Sequence, residues 1–326
     1  AGYGQIIPLL KQSHSSSRIL WHAPIGAIAS TFSPVFIGQD NVPSEFAKHR
    51  YLTTGEAHRF MDDRKIDMHI LSLSPLMHWH KLDRENSVSY SQDVNDDISD
   101  YTEINKSRFK SFCFLPLQDA DASIYELERC VVSKGMVGAM VATNVNGMDW
   151  DSEKLYPILE AANELKCLIF FHPTRGRANS WLTNYHLRNL IGNPLETTVA
   201  MGNIIFSGIM DKLPNLNLCF AHGGGYIRQG IGRFNHGYNV REEAKSNISH
   251  LPSDYLKSFY YDTITHSEEG LRDLINIVGD EQIFLGSDYP ADMGEPYPVH
   301  FVENCSSITD SEKSKIFDFD MNLFFF

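Results

Sequence analysis

Residues Cys167–Gly176 read CLIFFHPTRG: five apolar residues, a histidine, a proline and a polar turn. So short and uniformly apolar a run reads as a strand buried on both faces, as parallel strands under helices are. Pro173 cannot continue the ladder, so His172 is delivered at the strand's C-terminal end as the chain turns away. Two other runs end on a polar residue in the same way. Leu216–His222 (LNLCFAH) runs into Gly223–Gly224–Gly225, and Ile283–Asp288 (IFLGSD) runs into Tyr289–Pro290. Four more strands are predicted at Asp67–Leu73, Phe109–Leu115, Met136–Ala142 and Phe259–Thr263. Helix-like stretches lie between them. Ala122–Lys134 sets Ile124, Leu127, Val131 and Val132 on one face with Gly135 as its cap; Asp151–Leu165 opens on an Asp–Ser pair; Gly270–Val278 precedes the last strand. Alternating β and α predicts an α/β fold with a parallel sheet and crossover helices. Seven strands alone suit an open sheet as well as a barrel. Polar residues ending several different strands are the mark of a (β/α)8 TIM barrel's active rim, and the barrel is the expectation.

The chain has 326 residues, enough for two average domains or one enlarged barrel. No linker or repeat divides it, so a single domain over 1–326 is expected. Lys and Arg number 28 against 41 Asp and Glu, for a net charge of −13 without a basic cluster, which argues against a nucleic-acid partner. No apolar run reaches the roughly 18–20 residues that span a bilayer, so no membrane partner is expected. Five scattered cysteines without a CxxC point to buried free thiols in a reducing, cytoplasmic setting.

A lone histidine at a strand end is as a rule a core residue bonded to a carbonyl. The glycines after His222 also fit an ordinary βα turn, and neither GxGxxG nor GxxxxGK[ST] is present to make them a phosphate cradle. Asp288 is harder to dismiss, because a carboxylate ending a buried strand needs a cation, a proton partner or several donors. His172, His222 and Asp288 together form a stronger set than any one alone.

At these residues the chain resembles the metal-dependent amidohydrolase superfamily, in the branch of aminocarboxymuconate-semialdehyde decarboxylase and γ-resorcylate decarboxylase. The resemblance runs from about Glu56 to Lys315 and rests on MDDRKIDMHILSLSP, KGMVGAMVATNVNG, LYPILEAANELKCLIFFHP, NPLETT, SGIMDKLPNLNLCFAHGGG and LGSDYP in family order. It implies that His172 ligates a divalent metal and that Asp288 is both a ligand and a catalytic hydrogen-bond partner. It implies that His222 is the general acid/base, and that Arg233 reaches into a neighbouring subunit of a homodimer or higher homo-oligomer to hold a substrate carboxylate. Arg175, or Arg177, would neutralise a second carboxylate through bidentate bonding.

The chain also departs from the family. A first strand bearing an HxH metal-ligand pair is not visible, and Ala1–Pro8 reads like the segment after it. The expectation is therefore a barrel whose first strand is absent or truncated, with two further histidines upstream of Ala1. Residues 13–54 would then be an insertion, with Arg18–Trp21 and Val35–Ile37 forming a hairpin lid. His78–Trp79–His80 is the one HxH in the sequence, but it follows Ser74–Pro75 and suits a pocket-lining loop better than a ligand pair. The other histidines, His22 and His69 among them, read mostly as surface or helix residues. Ala57 stands where the decarboxylase has a substrate-contacting Arg, and Asp318–Phe319–Asp320 replaces a Gly-Gly-Asn. The function expected is nonoxidative decarboxylation of a small aromatic or unsaturated carboxylic acid with Zn2+, or else Mn2+. The alternatives are a hydrolase or hydratase using the same residues, and an inactive barrel scaffold.

Overall fold

The computed structural model describes residues 19–25, 54–73, 75, 82–174, 176–289 and 291–318, with the backbone path alone for 19–25, 54–57 and 178–179. Eight parallel strands close a barrel in chain order: β1 Ile19–Ile25, β2 Met68–Leu73, β3 Phe109–Cys113, β4 Gly138–Ala142, β5 Leu168–His172, β6 Asn217–Phe220, β7 Tyr260–Asp262 and β8 Ile283–Gly286. The seven strands read from sequence are all present.

The expectation of a missing first strand is not met. Ile19–Ile25 pairs with β2 on one side and with β8 on the other, through Leu20↔Leu285 and Trp21↔Gly286. The barrel therefore closes without an unpaired edge. Two features hid β1 in the sequence. ILWHAPI carries Pro24 near its end, which argues against a strand, and its register with β2 slips between Leu20 and Ala23, which breaks the alternation. Residues 13–54 are thus not one insertion, and Ile19–Trp21 belongs to the barrel instead of a lid. Val35–Ile37, His78–Trp79–His80 and Arg175 lie outside the described residues. β1 holds one histidine, His22, where the resemblance implies an HxH pair.

Alternation along the strands divides the core in two. Ile70, Phe112, Met140, Leu168, Phe170 and Phe284 fill the barrel's interior, with Phe112 and Phe170 stacked at 5.6 Å. Their neighbours, including Leu71, Val141, Ile169, Phe171, Leu218 and Leu285, face the surrounding helices. His69 is fully buried on β2 and stacks on Phe60, a correction to its reading as a surface or helix residue. All five cysteines are buried free thiols, as expected. Among the described residues no helix is long and apolar enough to cross a membrane.

The helices that matter here are α1 Thr54–Asp63, α2 Arg84–Ile104, α3 Ala120–Glu128, α4 Tyr156–Leu165, α5 Asn193–Phe206, α6 Ile227–Val240 and α7 Glu268–Val278. Each is fixed by local chemistry. In α7 the Ser267 hydroxyl accepts the Gly270 N–H at 2.9 Å, Glu268 and Glu269 face the positive helix end, and Leu271, Leu274, Ile275 and Val278 form the buried stripe. Two expectations shift. α4 starts at Tyr156, not at Asp151, because Pro157 lacks an N–H and belongs in a first turn. A π-helical turn at Arg129–Ser133 follows α3 and swings Val132 out to 66% exposure, while Leu127 and Val131 stay buried.

Candidate metal centre and acid/base site

His172, His222 and Asp288 converge at the C-terminal rim, with one ligand atom from each lying within 4.8 Å of the others. Strand alternation explains the first of them. His172 follows Phe170 by two residues on β5, so it shares the interior face, and the two rings stand 6.2 Å apart. Asp288 lies two residues past the end of β8, where the alternation no longer applies.

His222 breaks the rule. Phe220 packs outward and Ala221 inward, so continued alternation would send His222 out to the helices. Instead the chain turns left-handed at His222 (φ 58°, ψ 45°) and at Gly223 (φ 57°, ψ 29°). Glycine tolerates that region; a histidine there costs about 1–2 kcal/mol and persists only where its surroundings hold it. The result is a His222 ring 4.9 Å from the His172 ring, edge to face. Asp288 is also left-handed (φ 52°), and the loop after it folds back as the Glu295 N–H donates to the Ser287 carbonyl at 2.7 Å.

The Asp288 carboxylate sits between the two imidazoles. Its Oδ1 lies 3.5 Å from His172 Nε2 and its Oδ2 lies 3.7 Å from His222 Nε2. Both gaps exceed a hydrogen bond. The His172–Asp288 gap suits two atoms that share an ion, since bonds of about 2.1 Å at tetrahedral angles leave ligand atoms roughly 3.4 Å apart. On the far side of the ring, His172 Nδ1 lies 2.9 Å from the Pro173 carbonyl; as donor there it leaves Nε2 with its lone pair facing the cluster. The donor set and its spacing fit a divalent metal.

Burial disfavours the protonated form of His222, but the adjacent Asp288 carboxylate outweighs it and raises the imidazole's pKa above its ordinary value. In chelator-treated protein this pair therefore contributes stability at low pH that is lost as pH rises through the raised pKa. Thermal unfolding of that protein is expected to weaken more between about pH 6 and about pH 9 than that of the His222→Gln variant. Equal losses would refute the pairing.

Other polar residues were missed or misread in the sequence. Asp262, at the end of β7 and 1% exposed, accepts the backbone N–H groups of His222, Gly223 and Ile264 at 2.8, 2.9 and 3.0 Å. Arg177 is already committed. Its guanidinium pairs with Asp149 at 2.9 Å and with buried Glu196 at 3.1 Å, so it is not free for a substrate carboxylate. Arg233 is exposed on α6 and is not part of the His172–His222–Asp288 cluster.

Comparison with known proteins extends this picture. Residues 46–318 match the model of the amidohydrolase family. The chain belongs to the amidohydrolase family. Within it, the 2-amino-3-carboxymuconate-6-semialdehyde decarboxylase of Dictyostelium discoideum is 34% identical over 252 residues, covering 77% of this chain and 70% of that protein. The γ-resorcylate decarboxylase of Polaromonas sp. strain JS666 is 26% identical over 276 residues, covering 79% and 82%. The structure of a dihydroxybenzoic acid decarboxylase from Polaromonas sp. JS666, with bound manganese and the inhibitor 2-nitroresorcinol, superposes with a TM-score of 0.82 at 23% identity, covering 95% of this amidohydrolase and 97% of that chain. That likeness establishes the shared fold.

Proposed function

We propose that this amidohydrolase is a metal-dependent nonoxidative decarboxylase, a carbon–carbon lyase acting on a small aromatic or unsaturated carboxylic acid. The observation that carries the reading is the convergence of His172, His222 and Asp288 at one rim, in a chain 34% identical to a named decarboxylase. We assign a divalent ion, Zn2+ or Mn2+, to His172 and Asp288; imidazole and carboxylate donors suit both. When bound, it supplies a Lewis acid for a substrate oxygen.

The remaining chemistry belongs to the chain. His222, whose Nε2 faces the Asp288 carboxylate, donates its proton to the carbon bearing the carboxylate, which becomes sp3. The carbon–carboxylate bond then breaks, CO2 departs, and the bonding electrons return to the conjugated system. The net change is one proton gained and one CO2 lost, and His222 recovers its proton from solvent. Arg233 is assigned to a carboxylate in the site of a second copy, and Arg175 to one in its own.

Protein loaded with one equivalent of Mn2+ or Zn2+ is expected to release CO2 from hydroxybenzoates or aminocarboxymuconate-type acids. Chelation should stop turnover and metal should restore it. A fully loaded protein that releases no CO2 from either class sinks the proposal. A product that has gained one water instead would make the chain a hydratase or hydrolase. Binding of less than half an equivalent of metal would mark an inactive scaffold.

A further inference from the structure

The acid/base histidine reaches the site only because its backbone leaves the strand's alternation, so whatever holds that turn controls the imidazole. We infer that Asp262 is a positioning residue, which sets His222 by gripping the two successive left-handed N–H groups of His222 and Gly223. The inference rests on the decarboxylase reading above. The grip is specific: Oδ2 accepts the His222 N–H at 2.8 Å, while Oδ1 accepts Gly223 at 2.9 Å and Ile264 at 3.0 Å. Successive N–H groups in this conformation form a small anion-binding concavity, and here the anion is a side chain of the fold itself. Buried to 1% exposure, the carboxylate is compensated by these donors.

The neighbouring strand leaves room for it. A Cβ at Gly286 would stand 2.7 Å from the Asp262 Cβ, so only glycine fits beside this aspartate. β7 and β8 are adjacent, with Asp262 opposite Phe284, and Asp288 lies two residues beyond Gly286. One carboxylate thus fixes the main chain of His222, and a second, Asp288, faces its Nε2. Asparagine cannot replace Asp262, because an amide offers one acceptor oxygen and would turn an N–H donor toward another N–H.

The test is Asp262→Asn in the metal-loaded protein, with Gly286→Ala as a second perturbation whose Cβ would press on Asp262 and on Ile264 Cδ1. Asp262→Asn is expected to lower kcat about 30- to 100-fold with KM changed less than about threefold and bound Mn2+ unchanged, because His172 and Asp288 are not held by Asp262. Hydrogen exchange read by mass spectrometry should quicken at least about tenfold over residues 221–225 and stay unchanged over β5. If Asp262→Asn does not fold, hydrogen exchange over residues 221–225 in Gly286→Ala decides. A kcat within about threefold of the parent, or unchanged protection at 221–225, overturns the assignment. If the parent decarboxylates nothing, the function reading has failed, and the exchange result still decides whether Asp262 holds the turn.

Discussion

Replacing His222 with glutamine is expected to lower kcat about 10³-fold, roughly 4 kcal/mol of barrier, with little change in KM or in bound metal. Glutamine keeps a polar group of similar reach but has no proton to give near neutral pH. A positioned acid is generally worth about 10²–10⁴-fold, and about 10³ is the middle of that range. The His222 side chain is 18% exposed, and the adjacent Asp288 carboxylate favours its protonated form. The loss should fall on kcat because the proton moves only in the transition state. Metal content is the second readout. If His222→Gln also releases the ion, His222 is a ligand and the acid must be sought elsewhere. Retention of more than about a tenth of the parent's kcat would remove it from the chemistry.

How much of this was legible beforehand depends on which physical rule governed each element. Strands β2 to β8 are short apolar runs between turn residues, and each was read within two residues of its observed ends. β1 was not read, because Pro24 and a register slip disguise the alternation that pairs it with β2 and β8. His172 was legible because strand period and position agree, two residues beyond the interior Phe170, and Asp288 because a carboxylate ending an apolar run needs a cation or donors. His222 was found for an incomplete reason. The glycines announced a left-handed turn, but the turn begins at the histidine itself, and alternation alone would have sent its side chain to the wrong face.

Asp262 and Glu196 were missed for a common cause. Both are buried carboxylates whose partners are main-chain N–H groups and side chains distant in sequence, at separations of 40 residues for His222 and 52 for Asn144. The available signal was chemical: an aspartate ending an apolar strand at FYYDT, and a glutamate in the first turn of an otherwise uncharged helix. A buried acid asks for donors, and that question is open to a sequence even when its answer is not.

The largest loss of stability is expected from Glu196→Ala, about 3 kcal/mol in denaturant unfolding with an unchanged m-value. Glu196 is 3% exposed on α5 and accepts from Asn144 Nδ2 at 2.8 Å, from the Arg177 N–H at 2.6 Å and from the Arg177 guanidinium at 3.1 Å. It therefore binds the loop after β4 and the loop after β5 to one helix. Alanine would strand the buried Asn144 amide and the Arg177 N–H without acceptors. Breaking one side of a buried ion pair generally costs about 3–5 kcal/mol. The low end applies because the Arg177 side chain is 35% exposed and keeps Asp149 as a partner at 2.9 Å. Gln in place of Glu should cost less, since its one carbonyl oxygen can still serve Asn144 or the Arg177 N–H. Gly176 sharpens the prediction, because a Cβ there would stand 2.6 Å from Glu196 Cγ, which shows how closely the post-β5 loop is drawn onto this carboxylate. That loop leaves directly from His172, so the unfolding loss should come with a smaller fall in kcat as the His172 anchor loosens. A Glu196→Ala variant less than about 1 kcal/mol below the parent would mean that the loop is held by its apolar contacts and that the buried carboxylate is incidental to it.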